Sequence, residues 1–218
     1  MLMAIFYRAP GRGRLPPRDR VRNFCQVSSR TPLYDRAMTT ALEPSAMEPS
    51  LESLISTRPH PSLGSHAETY GRLIGNWRGE FFAYPLGAEP VRSSAEVHFA
   101  WALNGRAVQD VWITPARADR PSAPMARDMY GTTLRVFDPK SESWRVTWTD
   151  PPSGIRCELE GRRQGDDVVQ IGISQDGVPI RWTLSQIRPD RFLWQGHILE
   201  ADGTTWRLQA EFKMQRAR

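Results

Sequence analysis

The side chains that could do chemistry begin with four histidines. His60 and His66 stand among Pro, Ser and Gly and read as solvated. His98 alternates with Arg92 and Glu96, which puts it on the outer wall of a strand. His197 shares one face with Leu193, Gln195 and Leu199, while Phe192, Trp194 and Ile198 take the other. The pattern leaves open which face is inside, so His197 stands as a ligand-pocket candidate. No His-x-Glu, Cys-x-x-Cys or Glu-x-x-His spacing points to zinc. Two cysteines, Cys25 and Cys157, exclude a disulfide framework and a cysteine-only zinc site. No metal site is expected.

Nucleophilic chemistry finds no support either. There is no nucleophile elbow, and no Ser has convincing His and Asp partners. No glycine-rich phosphate loop follows a strand, and Gly11-Arg12-Gly13 is composition only. Asp110, Asp138 and Asp150 sit on or after strands. The last two precede Pro, where turn duty explains them. A catalytic carboxyl inside an apolar fold needs a pKa raised by burial, which sequence cannot show. No catalytic residue is assigned, and the chain reads as a binding protein before an enzyme.

Binding has better candidates. Trp101, Trp144, Trp148, Trp182 and Trp194 lie on the apolar faces of their segments and would line any interior space. Arg135 alternates with Thr133 and Phe137, and Arg106 follows a turn. An Arg facing inward can hold a ligand carboxylate by two parallel hydrogen bonds. Arg135 is the stronger of the two. Both also have a plain reading as exposed wall residues.

The elements that must position these residues come from a chain of 218 residues, 39% apolar, 24% charged and with eight Trp. No window of about 18 apolar residues could span a membrane as a helix. The net charge of +5 is unevenly placed. Residues 1–36 carry eight Arg against Asp19 and Asp35, a local +6. Residues 37–66 carry Arg58 against Glu43, Glu48 and Glu52, and the remainder is nearly neutral. All eight Trp lie at or after Trp77. The chain therefore divides into a disordered Arg- and Pro-rich tail, 1–66, and a folded unit, 67–218. Three readings compete for the first 37 residues. They are a solvated leader with a later start at Met38 or Met47, an organelle transit peptide, or an arm for nucleic acid or another anionic surface. Aromatic residues are sparse there, so no nucleic-acid partner is expected.

Within 67–218 a short helix comes first. Ser65-His66-Ala67-Glu68 has capping-box spacing, and Gly75 could end the helix in the left-handed conformation. Ala67, Tyr70, Leu73 and Ile74 form its apolar side. The period then changes to two. Alternating segments follow from Trp77, Val91, Ala107, Met129, Ser143, Ile155, Val168, Ile180, Phe192 and Trp206. Asn104-Gly105, Pro151–Gly154, Gly165-Asp166, Asp176-Gly177 and Asp202-Gly203 supply turns between them. On the last segment Trp206, Leu208, Ala210, Phe212 and Met214 share a face. Ten strands with short connections and one helix cannot cover an open sheet. Closure on itself removes the edges. The expectation is an all-β fold, an antiparallel up-and-down barrel of about ten strands.

Leu73-Ile74-Gly75-Asn76-Trp77-Arg78-Gly79-Glu80, followed by Tyr84-Pro85, resembles the opening of the calycin barrels. It is most similar to the nitrobindin-like haem barrels, whose first strand carries Gly-x-Trp-x-Gly and a following Tyr-Pro. Trp101-Ala102-Leu103-Asn104-Gly105-Arg106, Phe137-Asp138-Pro139, Trp144 and Thr147-Trp148 look more like an uncharacterised bacterial lipocalin-like family. The resemblance covers most of residues 70–214. It implies structural roles for Gly75, Gly79 and Trp77, with the indole packed by a basic residue near the chain's end, Arg207 or Arg216. In the nitrobindin-like barrels the haem ligand is a His after a Met-containing last strand. Glu211-Phe212-Lys213-Met214 matches that segment, but no His follows His197, and Phe81 and Ala83 replace small residues. The resulting expectation is a cytoplasmic protein that binds a small apolar or amphipathic molecule in its barrel, without a cofactor. Haem binding and a cyclase- or isomerase-type enzyme are the alternatives, and a homodimer is left open.

Overall fold

A computed structural model describes residues 44–122 and 128–217. Ten strands form one closed antiparallel barrel: β2 (Gly75–Ala83), β3 (Val91–Ala102), β4 (Ala107–Thr114), β5 (Met129–Asp138), β6 (Ser143–Asp150), β7 (Ile155–Gln164), β8 (Asp167–Ile173), β9 (Pro179–Ser185), β10 (Arg191–Leu199) and β11 (Trp206–Arg216). Each strand pairs with the next along the chain, and β11 pairs with β2 to close the ring. The topology is up-and-down, as the short connections required. A residue of positive φ serves the tightest of them. Gln164 pairs with Asp167, so two residues make that turn, and Gly165 takes φ +63°. The connection at Asn104-Gly105 is longer than the expected two residues. Ala102 pairs with Ala107, and Leu103, Asn104 and Gly105 all have positive φ.

Before the barrel come α1 (Pro44–Leu54), a two-residue strand β1 (Ile55–Ser56), a 3-10 helix at Pro61–Ala67 and α2 (Glu68–Gly71). The expected capping box is not used. Ser65 lies inside the 3-10 helix, whose N-cap is His60, accepting from the Ser62 amide. α2 stops at Gly71 rather than Gly75. Gly75, at φ +126°, instead opens β2, where a Cβ would overlap the Arg216 guanidinium.

The expected boundary at residue 66 falls inside an attached segment. β1 pairs with the end of β3, the Leu103 amide donates to Leu54 O at 2.9 Å, and the His60 amide donates to Gly105 O at 2.9 Å. Leu63 is buried in the common core. The Arg-rich stretch 1–36, with its three readings, lies outside the described residues, as does Cys25.

Alternation decides the interior. Val91, Ala95, Val97, Phe99 and Trp101 of β3 join Phe81, Val146, Leu159, Ile180, Leu184 and Phe212 in one core. One end of the barrel is plugged by α2. Tyr70 and Leu73 are fully buried there, and the Tyr70 ring packs edge-on against Trp144 at 5.2 Å. On the last strand the expected face holds only from Ala210 onward. The register shifts at Gly196/His197, leaving Gln209 as the extra residue of a bulge. The bulge turns Trp206 and Leu208 to the outside, where the Arg181 guanidinium stacks on the Trp206 ring at 4.6 Å.

Candidate functional site

The candidate site is a gap in the half of the barrel opposite α2. Four strands aim an indole at it: Trp112 from β4, Trp148 from β6, Trp182 from β9 and Trp194 from β10. Phe212 of β11 and Met129 at the start of β5 complete the apolar wall, and Thr133 and Arg135 form the polar part. The rings hold one another edge-to-face or tilted: Trp148–Trp182 at 6.2 Å, Trp182–Trp194 at 5.6 Å, Trp112–Trp194 at 5.8 Å and Trp112–Phe212 at 4.8 Å. Such pairs add directionality to burial. Two glycines give the indoles room. A Cβ on Gly131 would overlap the Trp148 ring, and one on Gly196 would crowd Trp194.

The gap is tight. It measures about 290 Å³ counting its opening, and the centre of a water-sized sphere can occupy only about 20 Å³ of it. That is room for about one water, so any larger occupant requires the indoles to move apart. The indoles therefore fill most of the barrel and leave one slot.

The polar base is a buried ion pair. Arg135 and Asp110 are both fully buried, and Arg135 Nη1 donates to Asp110 Oδ2. The other carboxylate oxygen, Oδ1, accepts the Thr133 amide at 2.9 Å. The Arg135 guanidinium also lies over two rings, Tyr70 at 4.8 Å and Phe99 at 5.6 Å. Burial pushes the Tyr70 phenol up to about 12, against the opposing pull of Arg135. Its hydroxyl donates to Gln170 Oε1 at 3.4 Å. Two donors of residues that line the gap, Arg135 Nε and Trp148 Nε1, are buried and have no protein acceptor. An unpaired buried donor is costly; Arg72 Nε, Trp144 Nε1 and Gln170 Nε2, on residues away from the gap, are unpaired too.

The other candidates go elsewhere. Trp144 packs beneath the gap against Tyr70 and Phe137, and Trp101 packs against Gly71. His197 is on the outer wall. It pairs with Arg181, whose face is opposite that of Ile180 and Trp182, and burial together with Arg181 lowers its pKa. The ligand-pocket reading of His197 is therefore corrected: the β10 alternation puts Trp194 inside and His197 outside. His98 is also outside. Its Nδ1 bonds Asn76 Oδ1 at 2.8 Å and its Nε2 faces Arg117 Nη2 at 3.2 Å. Neither His98 nor His197 faces the gap, so neither could serve there as a haem ligand. Among the described residues no group of three or more His, Cys, Asp or Glu could hold a metal ion.

The basic residue over Trp77 is Arg216, not Arg207. Arg207 lies at the far end of β11, paired with Glu200, whereas the register sets Arg216 opposite Trp77. Gly79 faces the backbone of Lys213 so closely that a Cβ would collide with it.

No family model and no curated protein matches the chain. Solved structures similar to it include two that span most of their own length. Rv2717c from M. tuberculosis aligns at 17% identity and a TM-score of 0.50, over 73% of this chain and 99% of that one. The S-type phycobiliprotein lyase CPES from Guillardia theta aligns at 12% identity and 0.49, over 71% and 93%. The fold is a calycin-like barrel.

In this calycin-like barrel, sequence reasoning missed Trp112, Phe212, Met129, Thr133 and above all Asp110. A signal for Asp110 existed. It shares the period-two face of Val108 and Trp112, so burying those two buries the carboxylate. Ile113, apolar on the opposite face and also buried, obscures that alternation.

Proposed function

We propose that this barrel binds a small, flat, hydrophobic or amphipathic molecule between the indoles of Trp112, Trp148, Trp182 and Trp194, and holds it without transforming it. The observation that carries this reading is the slot itself: aromatic walls on four strands over one buried guanidinium. Small-molecule sites have this composition, mostly apolar with a few placed polar groups. Removing about 300 Å² of apolar surface from water, at roughly 25 cal/mol per Å², supplies about 7 kcal/mol. The loss of ligand freedom subtracts from this. What remains lies below the roughly 8 kcal/mol of a micromolar complex and nearer the roughly 4 kcal/mol of a millimolar one. The likeness to a nitrobindin-like or bacterial lipocalin-like family agrees with a ligand in the barrel but leaves its identity open. The side chains lining the slot include no carboxylate or imidazole for acid–base work, which favours binding over a cyclase or isomerase.

The test is titration with N-phenyl-1-naphthylamine, reading energy transfer from Trp, together with native mass spectrometry of the purified protein. Saturable transfer or a co-purified apolar molecule supports the reading. No saturable binding at millimolar dye, with no co-purified mass, sinks it.

A further inference from the structure

We infer that the slot selects an uncharged hydrogen-bond acceptor, a carbonyl-type group on a flat aromatic body, and rejects the matching carboxylate. This rests on the proposed binding function and deepens it. Two observations carry it.

The first is the supply of donors. Arg135 Nε and Trp148 Nε1 belong to residues that line the slot, and both are buried without a protein acceptor. Both atoms can only donate. A ligand that offers an acceptor completes them, and one that is purely hydrocarbon leaves them unpaired.

The second is the balance of charge. The guanidinium could by itself suit an anion, but its charge is already matched. Asp110 lies beside it, fully buried, and also accepts the Thr133 amide, so the carboxylate is held in place. Farther up the same interior, Asp150 occupies the next inward position beyond Trp148 on β6 and is also buried. Its oxygens accept from neutral donors, the Tyr130 amide and the Ser153 hydroxyl. A ligand carboxylate would add a second or third negative charge to a region holding one guanidinium. Burying such uncompensated charge is unfavourable. A neutral carbonyl takes the same donors without that penalty.

Three probes of one size separate the alternatives: acetophenone, ethylbenzene and benzoate, measured by ligand-observed NMR and calorimetry at neutral pH. Acetophenone is expected to bind at least tenfold more tightly than either of the others. Trp148→Phe removes one donor while leaving an aromatic wall, so the ratio of acetophenone to ethylbenzene affinity should fall several-fold, whatever the change in ethylbenzene binding itself. Asp110→Asn leaves the guanidinium unbalanced and should reverse the order, with benzoate above acetophenone. Benzoate binding as tightly as acetophenone to the native protein overturns the charge argument. Equal binding of acetophenone and ethylbenzene overturns the donor argument, because water then satisfies both atoms. If no probe binds at millimolar concentration, the binding function itself fails and the selectivity falls with it. Trp148→Phe keeps the test decisive should Asp110→Asn not fold.

Discussion

The guanidinium carbon of Arg216 sits 4.1 Å above the ring of Trp77, joining the last barrel strand to the first. The two residues are also paired in register at the seam that closes the barrel. Trp77 is fully buried, donates through Nε1 to Leu73 O at 2.7 Å and packs edge-on against Phe192 at 4.8 Å. Arg216 also donates to three carbonyls, those of Pro189, Ile74 and Arg72. One side chain thus fastens the plug segment, the β9–β10 turn and the seam together.

From this arrangement, Trp77→Ala is expected to cost about 3–5 kcal/mol, the range for truncating a large buried aromatic. Arg216→Ala is expected to cost about 1–3 kcal/mol through the lost stacking and carbonyl bonds. Arg207→Ala, which only breaks the pair with Glu200, should cost less than about 1 kcal/mol. Urea unfolding of the three variants checks this order. A variant at Arg207 less stable than one at Arg216 would refute it.

Most of the barrel is legible in the chain because a half-buried strand writes its own period. Ten alternating segments with turn residues between them leave few other solutions, and all ten strands are where the alternation ends them to within a few residues. The bulge at Gln209 is not legible. A single extra residue flips Trp206 and Leu208 outward while the apolar pattern runs on unchanged. The candidate site is half legible. Five Trp faced inward by pattern, but depth along the barrel depends on stagger between strands, which no single strand records. Trp148, Trp182 and Trp194 therefore reach the slot, and Trp101 and Trp144 lie below it. Asp110 shows a further limit. A buried charge makes sense only with its partner, and its partner lies 25 residues away on the neighbouring strand.

The ion pair between Arg135 and Asp110 should behave as a unit. Arg135→Met alone leaves a buried carboxylate unpaired and is expected to cost about 3–5 kcal/mol. The double variant Asp110→Leu, Arg135→Met removes both charges and should recover most of that loss. Chemical denaturation of the two singles and the double gives the coupling. A double variant as unstable as the sum of the singles would mean the two charges stand independently.

Tyr70 makes a contribution that alkaline pH removes. Its phenol is raised from the ordinary 10.0 to about 12, first by burial. The unfolded chain therefore loses this proton at lower pH than the folded one. Stability is fully present below pH 10.0 and declines as the pH rises toward about 12. Tyr70→Phe cannot titrate, so its melting temperature should fall less steeply than that of the native protein between pH 9.5 and 11.5. Parallel curves would show that the Tyr70 phenol is not the group responsible.

The acid side involves His98. Arg117 Nη2 can only donate, so His98 Nε2 accepts and Nδ1 carries the proton toward Asn76 Oδ1. Burial lowers the His98 pKa, against the attraction of Glu96. A depressed folded value means stability present above about 6.5, the unfolded value, and lost as the pH falls through the folded one. His98→Gln should flatten the decline in melting temperature from pH 7.5 to 5. His197 is lowered too, so the difference between native and variant curves is the measurement. An unchanged slope would assign the acid sensitivity elsewhere.

Gly131 offers a way to close the slot without substituting any residue that would meet a ligand. It lies on β5 with its α-carbon facing the Trp148 ring, and an added Cβ would overlap three atoms of that ring. Its neighbours in register are Trp112 on β4 and, one step along, the Thr132–Thr149 pair with β6, so the backbone is held on both sides. The side chain is the part free to give way. In Gly131→Ala the indole must swing toward the slot, where only about 20 Å³ is open to a water-sized sphere. The overpacking is expected to cost about 1–3 kcal/mol, and the barrel should remain folded. N-phenyl-1-naphthylamine binding should fall at least tenfold, and emission from Trp148 should change even without dye. His197→Ala, on the outer wall, should bind the dye as the native protein does. If Gly131→Ala binds as tightly as the native protein while its Trp emission shifts, the dye occupies some other surface, and the slot between the indoles is not where ligands sit.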